Sequence, residues 1–345
     1  MEREGQIRAA FTEQAMWCTR LGSPFTARLC EALAAALDPE TPVGARILAW
    51  PGDPSASVDA LALRLCGGLN AMVRGGQAPG LASLYPPAPL PEFADVRAAL
   101  VEALRLTALE PWLDSAPQTN EVGRSAMLTA GLLVAAARFD RPMILYELGA
   151  SAGLNLQLDR YSYDLGGLNA GDPDSALRLT PRWRGPPPPA GALRIVGRQG
   201  VDLNPIDPVH DRERLLAYIW PDQAARLAQA EAALAIARHD PPRVDMGDAA
   251  DWIEAKLRPA DGDGALRVVM HSIAFQYFPA SVQARVASHI ERAGAAATEE
   301  APLAWLRFEK LPDDDECSLR LRLWPGEDRL LAWAHPHATS VDYLG

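Results

Sequence analysis

The sequence predicts an α/β protein: a helical N-terminal region, then a parallel, doubly wound sheet that ends in an antiparallel hairpin. Three observations carry this. Before residue 140, apolar side chains recur at helical spacing and alternating β-branched sequence is nearly absent. After Pro142, short apolar runs alternate with amphipathic stretches, the order that builds parallel sheets. Near the end, Leu319, Leu321 and Leu323 alternate with Arg320 and Arg322, and Pro325-Gly326 divides them from a second apolar run.

The elements follow in order. Phe11, Ala15, Met16 and Leu21 share a helical face, as do Leu29, Leu33, Ala36 and Leu37 before the stop at Asp38-Pro39. A helix is predicted over 57–73, one from Glu92 to about Leu109, and one from about Asn120 through Ala137. Residues 1–139 therefore form a helical domain or cap, and 140–345 an α/β domain. In the latter, Met143–Leu148 is a strand and Gly153–Tyr161 a helix. A long polar insertion at 164–191 is read as a loop whose Pro186–Pro189 run is a stiff connector. One or two strands lie within 192–202, and two helices divided near Pro221 fill 211–239. Arg243–Asp248 is a strand and turn, Ala249–Leu257 a helix, Leu266–Met270 a strand, Ser281–Ala293 a helix and Pro302–Phe308 a strand.

Composition narrows the class. With 48% hydrophobic and 22% charged residues, the 345-residue chain has ample material for a core. A net charge of −11 argues against nucleic acid as a general partner. The four cysteines, Cys18, Cys30, Cys66 and Cys317, form no C-x-x-C pair, so no zinc or thioredoxin motif is expected; their scatter suits reduced thiols in a cytoplasmic protein. The start carries mixed charge and no signal-peptide core. The apolar run 126–137 is too short to span a bilayer.

The chemistry centres on Met143–Asn155. An apolar run ends in Glu147, and Gly149-Ala150-Ser151-Ala152-Gly153 turns the chain toward a predicted helix start, an arrangement that holds polar ligands in α/β proteins. With the closing hairpin, this resembles the methyltransferase variant of the Rossmann architecture. That resemblance implies S-adenosylmethionine as cofactor and a small or medium-sized acceptor. Glu147, Gly149, Ser151 and Gly153 then hold the cofactor's methionine part, because small residues let a ligand approach the backbone. Asp202 ends the second strand, where a two-oxygen acceptor suits a ribose diol. It lies 55 residues from Glu147 rather than the about 20 of dinucleotide folds, and Asp-Leu-Asn-Pro is also good turn chemistry. Asp248, in Met246-Gly247-Asp248-Ala249, faces the adenine or merely caps a helix. His271, at the end of the fourth strand, is a candidate general base or a satisfied structural residue. The polar string Gln118, Asn120, Glu121 and Arg124 offers more donors and acceptors than a cap needs and is a candidate acceptor site.

Pro117–Ser125, Glu147–Asn155 with Asp159-Arg160-Tyr161, and Ile219–Gln223 together are similar to an uncharacterised bacterial family, domain of unknown function 2332. Membership implies a cytoplasmic bacterial protein and brings no reaction with it. Two other functions compete. Gly149–Gly153 also satisfies G-x-S-x-G, and Ser151, Asp248 and His271 or His335 follow the chain order of a hydrolase triad. Against this stand the 140 helical residues upstream and the lack of an upstream oxyanion segment. The fold also suits a non-catalytic binding protein. A P-loop and a G-x-G-x-x-G dinucleotide loop are absent from the sequence.

Overall fold

A computed structural model describes residues 2–258, 264–310 and 316–345. The chain divides into two compact units.

The first unit runs to Thr119 and is completed by Arg212–Ala228. Its helices are α1 (Glu2–Arg20), α2 (Pro24–Ala36), α3 (Pro42–Leu48), α4 (Leu61–Arg74), α5 (Pro79–Ala82) and α6 (Phe93–Ala103), followed by a 3-10 turn at Thr107–Leu113. Proline at the first turn favours the starts of α2, α3 and α5, and Thr41 Oγ1 caps α3 by accepting from Gly44 N at 3.1 Å. The apolar faces of Phe11, Leu29, Leu33, Ile47, Leu65 and Leu69 meet in one core. Each such side chain contributes about 1.5–3 kcal/mol by leaving water.

The returning segment is fastened by polar contacts. Asp222 accepts from Ser23 Oγ and from Phe25 N, the latter at 2.9 Å, so it caps α2 from a distance. Gln223 Nε2 donates to Leu21 O at 3.1 Å, and Asn70 Nδ2 donates to Ala217 O and Ile219 O. Ile219–Gln223 is thus a structural latch.

The second unit holds Asn120–Asp211 and Gln229–Gly345. It contains α7 (Ser125–Phe139), β1 (Met143–Leu148), β2 (Ser162–Leu165), β3 (Leu168–Gly171), β4 (Arg178–Leu179), β5 (Arg182–Arg184) and β6 (Ile195–Asp202). After α8 (Arg212–Ala217) and α9 (Ala224–His239) come β7 (Val244–Met246), α10 (Ala249–Lys256), β8 (Leu266–Ser272) and α11 (Ala280–Ala295). The chain ends in β9 (Leu303–Lys310), β10 (Cys317–Trp324), β11 (Asp328–Ala334) and β12 (Ser340–Tyr343). The main sheet has nine strands in the order β5-β12-β11-β10-β9-β8-β1-β6-β7. The run from β7 to β9 is parallel, and β9, β10, β11 and β12 pair antiparallel. Helices cover both faces. The face of Leu303, Trp305 and Val269 packs on α10 and α11, whereas Leu306 on the other face fills the space beside Gly131 of α7.

Several expectations change. Helix α7 belongs with the sheet, so the helical unit ends at Thr119 rather than at residue 139. The reason is its surface: every residue from Ser125 to Ala135 is buried. Val122–Phe139 is, among the described residues, the one helical stretch long and apolar enough to cross a membrane, and most of it lies inside the protein. The insertion at 164–191 is not a loop. Strands β2, β3 and β4 form a small sheet, and β5 extends the main sheet beside β12. Tyr161 and Tyr163 are wholly buried and donate to Leu154 O and Leu158 O, so the insertion is built onto the segment that follows β1. That segment, Leu154–Arg160, is a kinked 3-10 turn rather than an α-helix. The helix predicted from Glu92 stops at Ala103 and resumes as the 3-10 turn.

Candidate functional site

In open α/β sheets, ligands bind outside the carboxyl ends of the strands where the strand order reverses. Here that point is β1, flanked by β6 on one side and β8 on the other. Glu147 stands in register with Gly200 of β6 and Met270 of β8. Its carboxyl is 2% exposed and Oε2 has no hydrogen-bond partner. Burial, and next the charge of Asp202, push this carboxyl up to about 8; a hydrogen bond with Asn155 and the charge of Arg124 oppose the shift.

The loop after β1 is closed by its own hydrogen bonds. Gly149 N and Ala150 N donate to Val201 O, and Gly153 N to Ala150 O. Ser151 N donates to Asp202 Oδ2 at 2.8 Å, and Leu154 N to Asn120 Oδ1 at 2.8 Å. With these amides committed, the loop is no phosphate cradle. The charge of Asp202 gives the site its sign, and Glu147 adds a second negative charge once it ionises, which suits a cation.

The glycines are required by packing. At Gly149, with φ +68°, a Cβ would stand 2.6 Å from Ala274 Cβ; at Gly153, with φ +71°, it would meet Pro242 and Val244. Ser151 also has a left-handed backbone, φ +54°. Its hydroxyl is buried and, like Glu147 Oε2, has no partner.

The polar string divides. Gln118 falls in the helical unit, whereas Asn120, Glu121 and Arg124 belong to the sheet unit. Asn120 holds the loop through Leu154, and Glu121 Oε1 accepts from Gly123 N at 3.2 Å. Arg124 bridges two carbonyls, Nη1 to Ser272 O at the end of β8 and Nε to Pro336 O. Ser125 Oγ donates to Asn155 Oδ1 at 2.7 Å, so the string is built into the floor under Glu147.

Asp248 caps α10, its Oδ1 accepting from Ala250 N and Asp251 N at 2.9 and 3.1 Å. His271 is 1% exposed, with both ring nitrogens engaged. Nδ1 pairs with Glu309 Oε1 at 2.6 Å, Nε2 accepts from Trp305 Nε1 at 3.0 Å, and the ring stacks on Phe275. This is the geometry of a positioning residue, because no ring nitrogen is left for a proton from a substrate.

Residues 8–343 match a family described as uncharacterised and conserved in bacteria, domain of unknown function 2332. The chain belongs to this family. No curated protein and no solved structure matches it.

Residues to which the sequence assigned no binding role complete the surroundings. Met246 is the register partner of Asp202, and Leu203 follows Asp202 directly. Both are strongly exposed, at 74% and 71%, as is Tyr277 after β8 at 65%. An apolar rim thus borders an acidic floor. The turn His335–Pro336–His337 approaches Gly123 and Arg124: a Cβ at Gly123 would stand 2.6 Å from His337 O. The available signal for the rim is Leu203, a large apolar residue just beyond β6, where a turn residue is usual.

Proposed function

We propose that this protein binds S-adenosylmethionine at the carboxyl ends of β1, β6 and β7 and transfers its methyl group to a small or medium-sized acceptor. Glu147 carries the reading. A buried carboxyl with an unpartnered oxygen costs stability, and such groups concentrate at ligand sites. A ligand that brings a cation and N–H donors relieves that cost. Two further features support the reading: the parallel run β7-β6-β1-β8-β9 has the Rossmann order in sequence, and a hairpin follows it.

The bound cofactor supplies an electrophilic methyl group on a sulfonium. Ionised Glu147 accepts hydrogen bonds from the ligand's ammonium, beside the unpartnered Ser151 hydroxyl. Gly149 and Gly153 hold the loop's shape. Asp202, whose Oδ2 accepts from Ser151 N and Oδ1 from Asn204 N, takes the ribose hydroxyls on its remaining lone pairs, and Leu203 and Met246 flank the base, with Asp248 at the margin. Asn120 and Arg124 hold the loops that border the acceptor side. Positioning of the acceptor in line with the sulfonium does most of the work. His271 takes no proton in this scheme and holds the β8 loop instead.

Hydrolysis is the weaker reading. No histidine among the described residues hydrogen-bonds the Ser151 hydroxyl, Asp248 is occupied as a cap, and the loop amides are committed. Calorimetric titration of the folded protein with S-adenosylmethionine and S-adenosylhomocysteine tests the proposal. Both should bind and raise the melting temperature; folded protein that responds to neither removes the cofactor.

A further inference from the structure

The helical unit contains a second chemical cluster that has no part in the site on β1. Cys18 of α1, Cys30 of α2 and Cys66 of α4 are all free and buried in one core. Cys30 Sγ lies 3.6 Å from Cys66 Sγ. Cys18 lies on the other side of Cys30, near enough for the two thiols to shift one another's acidity, and Gln14 Nε2 donates to Cys18 Sγ at 3.5 Å. Buried thiols ordinarily act as small apolar side chains. These differ in forming a continuous line of three sulfurs with unusual company. Gln14 Oε1 at one end and the Tyr85 hydroxyl near Cys30 and Cys66 are buried atoms without a partner. A core built only for packing has no use for such groups.

The thiols are also chemically unequal. The Cys30 hydrogen bond, helped by Gln14 and opposed by burial, pulls the Cys18 thiol below its ordinary value. Cys30 is pushed well up by its bonds to Cys18 and Cys66 and by burial. Cys66 is the one of the three with measurable exposure, 6%.

We propose that Cys30 and Cys66 are an oxidisable pair, converted by hydrogen peroxide to a disulfide between α2 and α4, with Cys18 able to take over the bridge by exchange. In the first step Cys66 sulfur attacks one peroxide oxygen, the O–O bond breaks, and sulfenic acid and one water form. In the second, Cys30 sulfur attacks Cys66 sulfur, the S–O bond breaks, and the hydroxyl leaves as water with the Cys30 proton. Two thiols lose two electrons and two protons, and one peroxide becomes two waters. In the exchange step, Cys18 thiolate attacks Cys30 and releases Cys66 as thiolate, with no net redox change.

The test uses the reduced 345-residue chain. It is exposed to hydrogen peroxide in the native state, then denatured in an alkylating reagent and mapped by peptide mass under non-reducing conditions. The thiol count should fall from four to two, with Cys30 linked to Cys66 or Cys18, Cys317 alkylated throughout, and all four recovered with a thiol reductant. Retention of all four thiols overturns the proposal. So does oxidation that halts at sulfinic acid on Cys66, or a bridge formed only between chains. Cys66→Ala serves as the second variant: its remaining thiols should resist peroxide, and an equal rate of oxidation in it overturns the entry of oxidant through Cys66.

Discussion

Glu147 and His271 end neighbouring strands of one sheet, and both are almost fully buried. Their surroundings differ. His271 has each ring nitrogen engaged, by Glu309 and Trp305, and a face against Phe275. Glu147 has one oxygen with no partner and a second carboxylate close by. A fully paired buried group fixes shape. An unpaired one costs free energy and persists where something outside the chain completes it. The contrast is between the two residues themselves: Glu309, which pairs with His271, also keeps one oxygen, Oε2, without a partner, so it is the nearby charge of Asp202 together with the unpartnered oxygen that sets Glu147 apart.

Removing paired groups should cost stability, and removing unpaired ones should not. The largest effect is expected from His271→Ala, which leaves Glu309 and Trp305 without their buried partner; chemical denaturation should register a loss of about 3–5 kcal/mol. Glu147→Gln should act in the opposite sense. The folded carboxyl titrates near 8 against an ordinary 4.5, so between these values the folded state holds a proton that the unfolded state has lost. Wild-type stability therefore falls as pH rises across that window. Glu147→Gln should flatten this slope and gain about 3 kcal/mol near pH ~7, read from denaturation curves across pH. If the slope survives in the variant, Glu147 is not its source. Asp248→Ala removes a paired cap and should cost about 1 kcal/mol in thermal or urea unfolding. Smallest of all, Ser151→Ala deletes an unpartnered hydroxyl and should change stability by no more than about 1 kcal/mol. The wild-type protein should also fail to react at Ser151 with a fluorophosphonate, and labelling there would revive hydrolysis.

The amino-acid pattern carried the local parts of this arrangement well. The switch from helical spacing to short apolar runs after Pro142 marks where β1 begins, and small residues between Gly149 and Gly153 mark a tight turn. What escaped was set by distant partners. The 55-residue gap between Glu147 and Asp202 looked too long for neighbouring strands. It is filled by strands that fold onto the β1 loop through Tyr161 and Tyr163, so β6 still pairs with β1. Helix α7 has the composition of the helices before it, and only its burial on all sides assigns it to the sheet. His271 was ambiguous because Trp305 and Glu309, which occupy it, lie 34 and 38 residues later. Among the candidate site residues, Asn120 and Arg124 turned out to hold loops together, a role that a string of polar residues does not reveal.

The most direct measurement is calorimetric binding of S-adenosylmethionine to wild type and Glu147→Gln across pH, in two buffers of different ionisation heat. If a cationic ligand binds ionised Glu147, wild-type affinity rises with pH up to about 8, and below that value binding releases protons to the buffer. Glu147→Gln should bind at least about tenfold more weakly, with no proton release. Equal affinity in the two proteins, or wild-type binding without pH dependence or proton release, would contradict a role for Glu147 in holding the ligand.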